Sequence, residues 1–442
     1  MNVPILADQD AIRFWFATAL TGVGAGLGAG ALTEFLAVVQ HAMWGGSGLD
    51  LLPPAMHTPP WQHLVILVGA GVLVGGGQFL LSRLTSGNGI EITTAIWFFA
   101  GRMPALRTLA SATLSVTIVG MGAALGREGA PKQAGAVVAN ILCDRTRLRD
   151  EERRLLVACG AGAGMAAAYG VPLGGALFAV EVLRGALALR FILPALVTSL
   201  VATAVSWVFL PDKPTYTIPI YAGSVSSTAW ALLAGPLIGL ASVGCVRAVA
   251  WADRHRPRAW RRWVWPVLGL GLLGAVSIPF PQLLGNGRDV AQLAFTGQLG
   301  SMLLGVLVLL RPAATMLCLA SGAPGGLFTP TLAIGALFGG VLGLPWAWIW
   351  PGVPPGLFAL VGATAMIAAT TQGPISAVVL MMELTGYARA AVLPMLLAVA
   401  TATLVARLIE TRSIYDARLT DAQVQERQRA RDHAPVEPAP FS

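Results

Sequence analysis

The sequence predicts an all-α polytopic membrane protein made of two inverted-topology repeats, with many tilted and discontinuous helices. Composition gives the first sign: of 442 residues, 55% are hydrophobic and 11% charged, with a mean hydropathy of +0.70. Soluble domains carry roughly 25% charged residues. So little polar surface cannot solvate a globule of this size, and lipid must be the solvent for much of the chain. The second sign is an alternation of bilayer-length apolar runs with apolar stretches broken by Gly and Pro. The third is an internal match between the two halves of the chain. Together they exclude a disordered chain, a secreted disulfide scaffold and an ordinary cytosolic enzyme.

Crossing the hydrocarbon core takes about 20 residues at helical rise. Runs of that order recur at 13–43, 62–84, 191–210, 228–250, 264–280, 299–320, 331–350 and 390–408. Between 87 and 185, and again between 321 and 387, Gly, Pro or a single charge interrupts the apolar sequence at short intervals. Helices that stop inside the membrane have this pattern, which is tolerated where the broken backbone lines a cavity within the protein. The first residues, MNVPILADQDAIRFWF, are acidic where a signal peptide needs a basic region, so a mature amphipathic start is expected. Residues 421–442 read as a polar, disordered cytoplasmic tail. Cys143, Cys159, Cys245 and Cys318 sit apart in apolar surroundings and read as small core hydrophobes.

The segment from Gly162, GAGMAAAYGVPLGGALFAVEVL, matches the one from Gly362, GATAMIAATTQGPISAVVLMMELT. In each a proline (Pro172, Pro374) precedes a glutamate (Glu181, Glu383) by nine residues. A glycine-rich turn lies upstream in both halves, GREGAP at 126–131 and GGLFTP at 325–330. The expected organisation is a first repeat over about 10–210, a second over about 226–410, a final short helix at about 414–420 and the tail. Equivalent linkers differ in charge. RTRLRDEERR at 145–154 is basic, whereas its partner at 345–356, PWAWIWPGVPPG, is uncharged and holds three tryptophans. The stretch 45–61 has no Lys or Arg, whereas its partner at 247–263 is crowded with arginines. Basic loops stay cytoplasmic and Trp collects at interfaces, so the repeats should be inserted upside down relative to each other, with both termini cytoplasmic.

The net charge of +8 then reflects cationic cytoplasmic loops rather than nucleic-acid binding. Enzymatic chemistry would need convergent His, Asp, Ser or Cys clusters. The five histidines, His41, His57, His63, His255 and His433, fall in no motif, so neither an enzyme nor a metal or other cofactor is expected.

Three segments join glycines, a few polar atoms and a helix start: GNGIEITTA at 87–95, GREGAPKQAG at 126–135 and SGAPGGLFTPTLAIG at 321–335. Glycines let the backbone turn and approach a ligand closely, while the unpaired N–H groups and positive dipole end of the next helix face the turn. Such ends bind anions without a full counter-charge. Several of them aimed at one buried point would hold a small anion loosely enough to release it.

At these residues the chain resembles the CLC family of chloride channels and chloride/proton exchangers. GREGAP, with its proline one place late, SGAPGGLFTP and SIYDARL at 413–419 are similar to three family signatures, in order, and the likeness covers about 10–420. It implies a CLC-type fold, a homodimer in a cell membrane, an anion pathway in each subunit and no C-terminal nucleotide-sensing domains. Residue by residue, it implies that Glu128 is the gating glutamate, occupying an anion site when ionised and leaving it when protonated. Leu327 and Phe328 match the positions whose backbone N–H groups hold the central anion, and Tyr415 the tyrosine whose hydroxyl donates to it. A lone carboxylate in apolar sequence is costly and proton-sensitive on physical grounds too, although an ion pair with Arg127 or Lys132 is the bland alternative.

The chain departs from the family pattern at four positions. Asn88 stands where many chloride-selective members have serine; it offers both a donor and an acceptor, which opens the preference among chloride, nitrate and fluoride. Glu91 falls near the family's proline or the glutamate after it. Val182 stands at the internal proton-transfer glutamate of many bacterial exchangers and cannot carry a proton, which favours passive conduction or an exchanger with another inward proton route. Finally Lys132, one of two lysines, follows Glu128 by four residues, one helical turn. It either favours the ionised carboxylate and adds positive potential to the anion path, or snorkels toward the cytoplasm. On the first alternative, Lys132→Met shifts the pH dependence of anion flux to higher pH; an unchanged profile in a liposome flux assay removes that role.

Overall fold

The chain's structure, a computed structural model, describes residues 9–46, 48–84, 91–386, 389–417, 419 and 422–426. Its first half contains α1 (Gln9–Trp44), α2 (Leu52–His57), α3 (Pro60–Leu84), α4 (Ile92–Phe98), α5 (Ala105–Gly120), α6 (Gly129–Thr146), α7 (Asp150–Tyr169), α8 (Pro172–Leu177) and α9 (Leu189–Ser206). A π-helical segment, Phe178–Arg184, extends α8. The second half contains α10 (Val225–Arg254), α11 (Arg261–Ser277), α12 (Arg288–Phe295), α13 (Ser301–Ala320), α14 (Phe328–Ile349), α15 (Pro355–Thr371), α16 (Pro374–Leu384) and α17 (Val392–Ile409). Among the described residues seven helices are long and apolar enough to cross a membrane. α11, expected as an eighth span at 264–280, is only 17 residues long and opens on Arg261 and Arg262. Large apolar side chains such as Val38, Val72, Leu80, Leu106, Leu268 and Leu309 are exposed on the outside, as lipid-facing positions require.

The halves repeat one packing pattern. α1 lies against α6, α7 and α9 as α10 lies against α14, α15 and α17, and α6 packs on α7 as α14 packs on α15. Contacts between the halves join equivalent partners, α3 with α11 and α8 with α16, which is possible only on a pseudo-two-fold axis. Along the α3–α11 seam Gly71 faces Pro266 and Val267, Gly75 faces Arg262 and Trp263, and Gly274 faces His63 and Leu67. As one helix ascends in number the other descends, so equivalent helices run antiparallel and the two repeats are inverted. Glycine makes the close crossings inside each half: a Cβ on Gly135 would meet the Gly160 carbonyl, and one on Gly339 the Phe358 carbonyl.

The α8–α16 pair is fastened by reciprocal carboxylates. Pro172 and Pro374 start these helices at positions that need no N–H, and the next N–H groups lack intrahelical partners. Glu383, near the end of α16, accepts from Leu173 N–H at 3.0 Å and Gly174 N–H at 2.7 Å at the start of α8. Glu181, beyond α8, accepts from Ile375 N–H at 3.2 Å and Ser376 N–H at 2.6 Å at the start of α16. The two glutamates picked out by the internal repeat are therefore helix anchors that cap each other's partner.

Residues 414–417 form turns, not the short helix expected at 414–420, because Asp416 Oδ2 draws in Ser413 through its N–H at 3.2 Å and its hydroxyl at 2.7 Å. Within the expected disordered tail, residues 422–426 are helical.

Removing the Glu383 cap strands two N–H groups at the start of α8, one buried and one partly buried, each hydrogen bond contributing about 0.5–3 kcal/mol, the upper end when the carboxyl is charged. Glu383→Ala is expected to lower the unfolding temperature in detergent markedly, and Glu383→Gln less so because it keeps one acceptor. Equal stability of wild type and Glu383→Ala in a thermal-shift assay would contradict the anchoring role.

Candidate functional site

The site forms where the equivalent glycine-rich turns meet. α5 and α13 each end in a turn whose glycine has a left-handed backbone, Gly122 (φ 102°) and Gly322 (φ 82°), a conformation that penalises any Cβ. Four residues later the turns are joined by a two-residue antiparallel bridge: Gly126 N–H donates to Gly326 O and Gly326 N–H to Gly126 O, both at 2.8 Å. α6 and α14 begin directly after it. Their N-termini, each with unpaired N–H groups and a positive dipole end, are thereby brought to one buried place.

Glu128 is the N-cap residue of α6, yet its side chain does not cap its own helix. The carboxylate, fully buried, crosses to the start of α14. Oε1 accepts from Phe328 N–H at 2.6 Å, and Oε2 accepts from the Thr329 hydroxyl at 3.1 Å. Tyr169, the last residue of α7, places its hydroxyl 2.9 Å from Thr329 Oγ1 and 3.5 Å from Glu128 Oε2. A Cβ on either Gly126 or Gly326 would collide with the carboxylate, so the bridge glycines open the space it occupies. The guanidinium of Arg127 stacks on the Tyr169 ring at 4.8 Å instead of pairing with Glu128. Neither Arg127 nor Lys132 forms an ion pair with Glu128, so the bland alternative for this residue does not hold.

The expected anion residues gather here in part. Phe328 serves through its N–H, as expected, and its side chain is buried. Leu327 is the N-cap residue of α14, and among the described residues its N–H has no hydrogen-bond acceptor. One turn beyond Glu128, Lys132 is 5% exposed and does not snorkel. Its Nζ lies 3.4 Å from the Tyr415 hydroxyl and over the rings of Tyr415 (4.7 Å) and Phe178 (5.2 Å). Tyr415, on the turn after α17, meets Phe178 edge-on at 5.6 Å. Glu91 is the N-cap residue of α4. Val182 is buried in the π-helical segment behind Phe178 and offers no ionisable group. Asn88 lies outside the described residues.

Sequence reasoning missed Tyr169, Thr329 and Arg311. Thr329 was in view within GGLFTP, and Tyr169 stands out as the single hydroxylated aromatic in the small-residue helix α7. Arg311 is an isolated charge in the apolar run of α13. It is fully buried and donates to Leu283 O and Gly285 O, both at 2.7 Å; Gly285 N–H in turn donates to Gly122 O at 2.9 Å. Arg311 therefore holds the loop before α12 against the turn after α5. The four cysteines are free, with Cys143, Cys159 and Cys318 buried, as their apolar settings implied.

The family model described as voltage gated chloride channel matches residues 70–407. A putative chloride channel protein ClcB-like from Ralstonia nicotianae is 30% identical over 414 residues, covering 90% of this chain and 95% of the relative. An H(+)/Cl(-) exchange transporter ClcA from Vibrio parahaemolyticus is 32% identical over 385 residues, 81% of this chain and 79% of the relative. Among solved structures, a slow cyanobacterial Cl-/H+ antiporter superposes with a TM-score of 0.80 at 23% identity, covering 94% of this chain and 99% of the other.

Thr329 supplies one of the two close hydrogen bonds to Glu128 and takes no part in the Gly126–Gly326 bridge. A hydrogen bond to a charged group contributes about 1.5–3 kcal/mol, or roughly a factor of 10 to 100 in occupancy. If Glu128 gates an anion pathway, Thr329→Val should therefore raise anion flux at neutral pH, measured by efflux from liposomes; flux equal to wild type at every pH argues against the hydroxyl holding the carboxylate in place.

Proposed function

The chain belongs to the voltage-gated chloride channel (CLC) family, and from that premise we propose that each subunit of a homodimer carries an anion pathway, chloride being its main occupant, which Glu128 gates. One observation carries this reading: the Glu128 carboxylate sits on the N-terminus of α14, the place where a small anion would sit, bound by Phe328 N–H and the Thr329 hydroxyl. Ionised, it is the anion of that site. Protonated, it loses most of its attraction to the helix end and becomes a weak ligand that a permeating anion displaces. Leu327 N–H, Tyr415 and, by the family resemblance, Asn88 complete the anion path.

Passive conduction is favoured because Val182, buried and apolar, interrupts the internal proton route at the position of the exchanger glutamate. A proton-coupled exchanger is the second reading. It is favoured by Glu91, a second carboxylate at the start of α4 and a candidate for another inward proton route, and by the exchange activity named for the Vibrio parahaemolyticus relative. The protein resides in the cell (inner or plasma) membrane with both termini cytoplasmic, the side on which the arginine-rich stretches 145–154 and 247–263 belong.

Purified protein in liposomes, with anion efflux and proton movement followed together, tests both readings. Wild type should release chloride, faster in acid, without uphill proton movement. Glu128→Ala should keep releasing chloride and lose the acid activation. Proton pumping driven by a chloride gradient replaces the passive reading with the exchanger. Repeating the assay with fluoride and nitrate measures the selectivity that Asn88 leaves open.

A further inference from the structure

We infer that the ends of α1, α2 and α3 build a binding site for one divalent transition ion of the Zn2+ or Ni2+ kind, with His41 Nε2, His57 Nε2 and Gln62 Oε1 as its protein ligands. This goes beyond the proposed function and does not depend on it. The three side chains line one cavity of about 460 Å³, whose wall also includes Trp44 and Pro54. They come from the last turn of α1, the last turn of α2 and the first turn of α3. No motif joins them in the sequence, because the fold and not local spacing brings them together.

Each side chain is held in the same way. His41 Nδ1 lies 2.7 Å from Gly46 O, and His57 Nδ1 lies 2.8 Å from Pro53 O. A carbonyl can only accept, so Nδ1 carries the hydrogen in both rings, and Nε2 of each neutral ring keeps its lone pair. Gln62 Nε2 donates to Met43 O at 2.9 Å, which assigns the amide and leaves Oε1 as an acceptor. Among the described residues none of these three remaining atoms accepts a hydrogen bond. A ring fixed through one nitrogen by a backbone carbonyl, with the other nitrogen bare, is the arrangement that orients an imidazole for a metal.

The supports of the three ligands also converge. Gly46 packs directly on Pro54, since a Cβ on Gly46 would fall 2.6 Å from Pro54 Cγ. The carbonyls that orient the two rings belong to Gly46 and to the neighbour of Pro54, so both imidazoles are anchored at one contact between chain segments. Gln62 ties α3 to the same end of α1 through Met43.

Two bare imidazole nitrogens and an amide oxygen on one cavity suit a Lewis-acidic cation. Imidazole favours Zn2+, Ni2+ or Cu2+, whereas Ca2+ and Mg2+ demand a larger set of oxygens. Local charge does not oppose a cation: the stretch 45–61 has no Lys or Arg, and Arg288, which reaches it, is paired with Asp50 at 2.8 Å. Both histidines are exposed, so an ion can enter, and water completes its coordination. With no thiolate or carboxylate among its ligands, the ion is exchangeable and not a resident structural cofactor.

The test is titration calorimetry with Zn2+ and Ni2+ on full-length protein in detergent, purified without a polyhistidine tag, beside a thermal-shift assay. Wild type should bind one ion per chain and unfold at a higher temperature with the ion than with EDTA, whereas Ca2+ should do neither. His41→Gln and His57→Gln should each weaken binding by at least about 10- to 100-fold, the loss that follows removal of even an outer partner of a metal ligand. Their unfolding temperatures in EDTA should match wild type, which separates a lost ligand from a lost fold. Gln62→Glu completes a set of two histidines and a carboxylate and should tighten binding. The site is overturned if wild type binds neither ion, or if the variant lacking both histidines binds as tightly as wild type.

Discussion

Two hydrogen bonds between Gly126 and Gly326 hold the centre of the molecule together. Opposing two helix N-termini places like partial charges close together, roughly half a positive charge at each end, and nothing in the packing of either half alone would do so. The bridge fixes that opposition by pairing the backbone of the two equivalent turns across the pseudo-two-fold axis. Glycine is required at both positions for one reason: the space a Cβ would fill belongs to the Glu128 carboxylate. An unfavourable electrostatic arrangement is thereby turned into a place where an anion is stabilised, and the anion is supplied in the first instance by the protein.

The sequence made the coarse architecture readable because lipid imposes few solutions. Each helix long and apolar enough to span the membrane among the described residues forms close to where an uninterrupted apolar run predicts it, and the broken stretch from 87 to 185 resolves into α4 to α8. Inversion could be read from the charge of the linkers, and the matching glutamates of the internal repeat turned out to be mutual caps. What local sequence could not supply was the direction of individual side chains. Glu128 and Lys132, one turn apart, suggest a pair, yet the carboxylate leaves its own helix for α14 while the ammonium turns to Tyr415, 283 residues away. Tyr169 and Thr329 join the site only through tertiary contact. Arg311 was lost among residues that look merely apolar, because its acceptors are carbonyls of a distant loop.

Lys132 places a buried ammonium one helical turn from Glu128. With backbone dipoles alone an anion is stabilised by partial charges that neutralise nothing, so binding stays weak and the site tolerates emptiness. A buried ammonium does not tolerate it as well. The rings of Phe178 and Tyr415 reduce the cost of burying it.

Three glutamates in this protein cap a helix that is not their own, and they differ in how replaceable they are. Glu181 and Glu383 each accept from two successive backbone N–H groups, so both carboxylate oxygens are committed to rigid donors at the α8–α16 seam. Glu128 accepts from one backbone N–H, the Thr329 hydroxyl and, at 3.5 Å, the Tyr169 hydroxyl, and the bridge glycines leave its carboxylate unconfined by side chains of their own. A hydroxyl can rotate to another partner, and Tyr169 already offers Thr329 one at 2.9 Å. Losing Glu128 therefore strands a single backbone N–H, whereas losing either of the others strands two. Identical chemistry thus yields a rivet where both donors are fixed backbone N–H groups and a replaceable contact where one is a hydroxyl, and the proposed gating role of Glu128 rests on that difference.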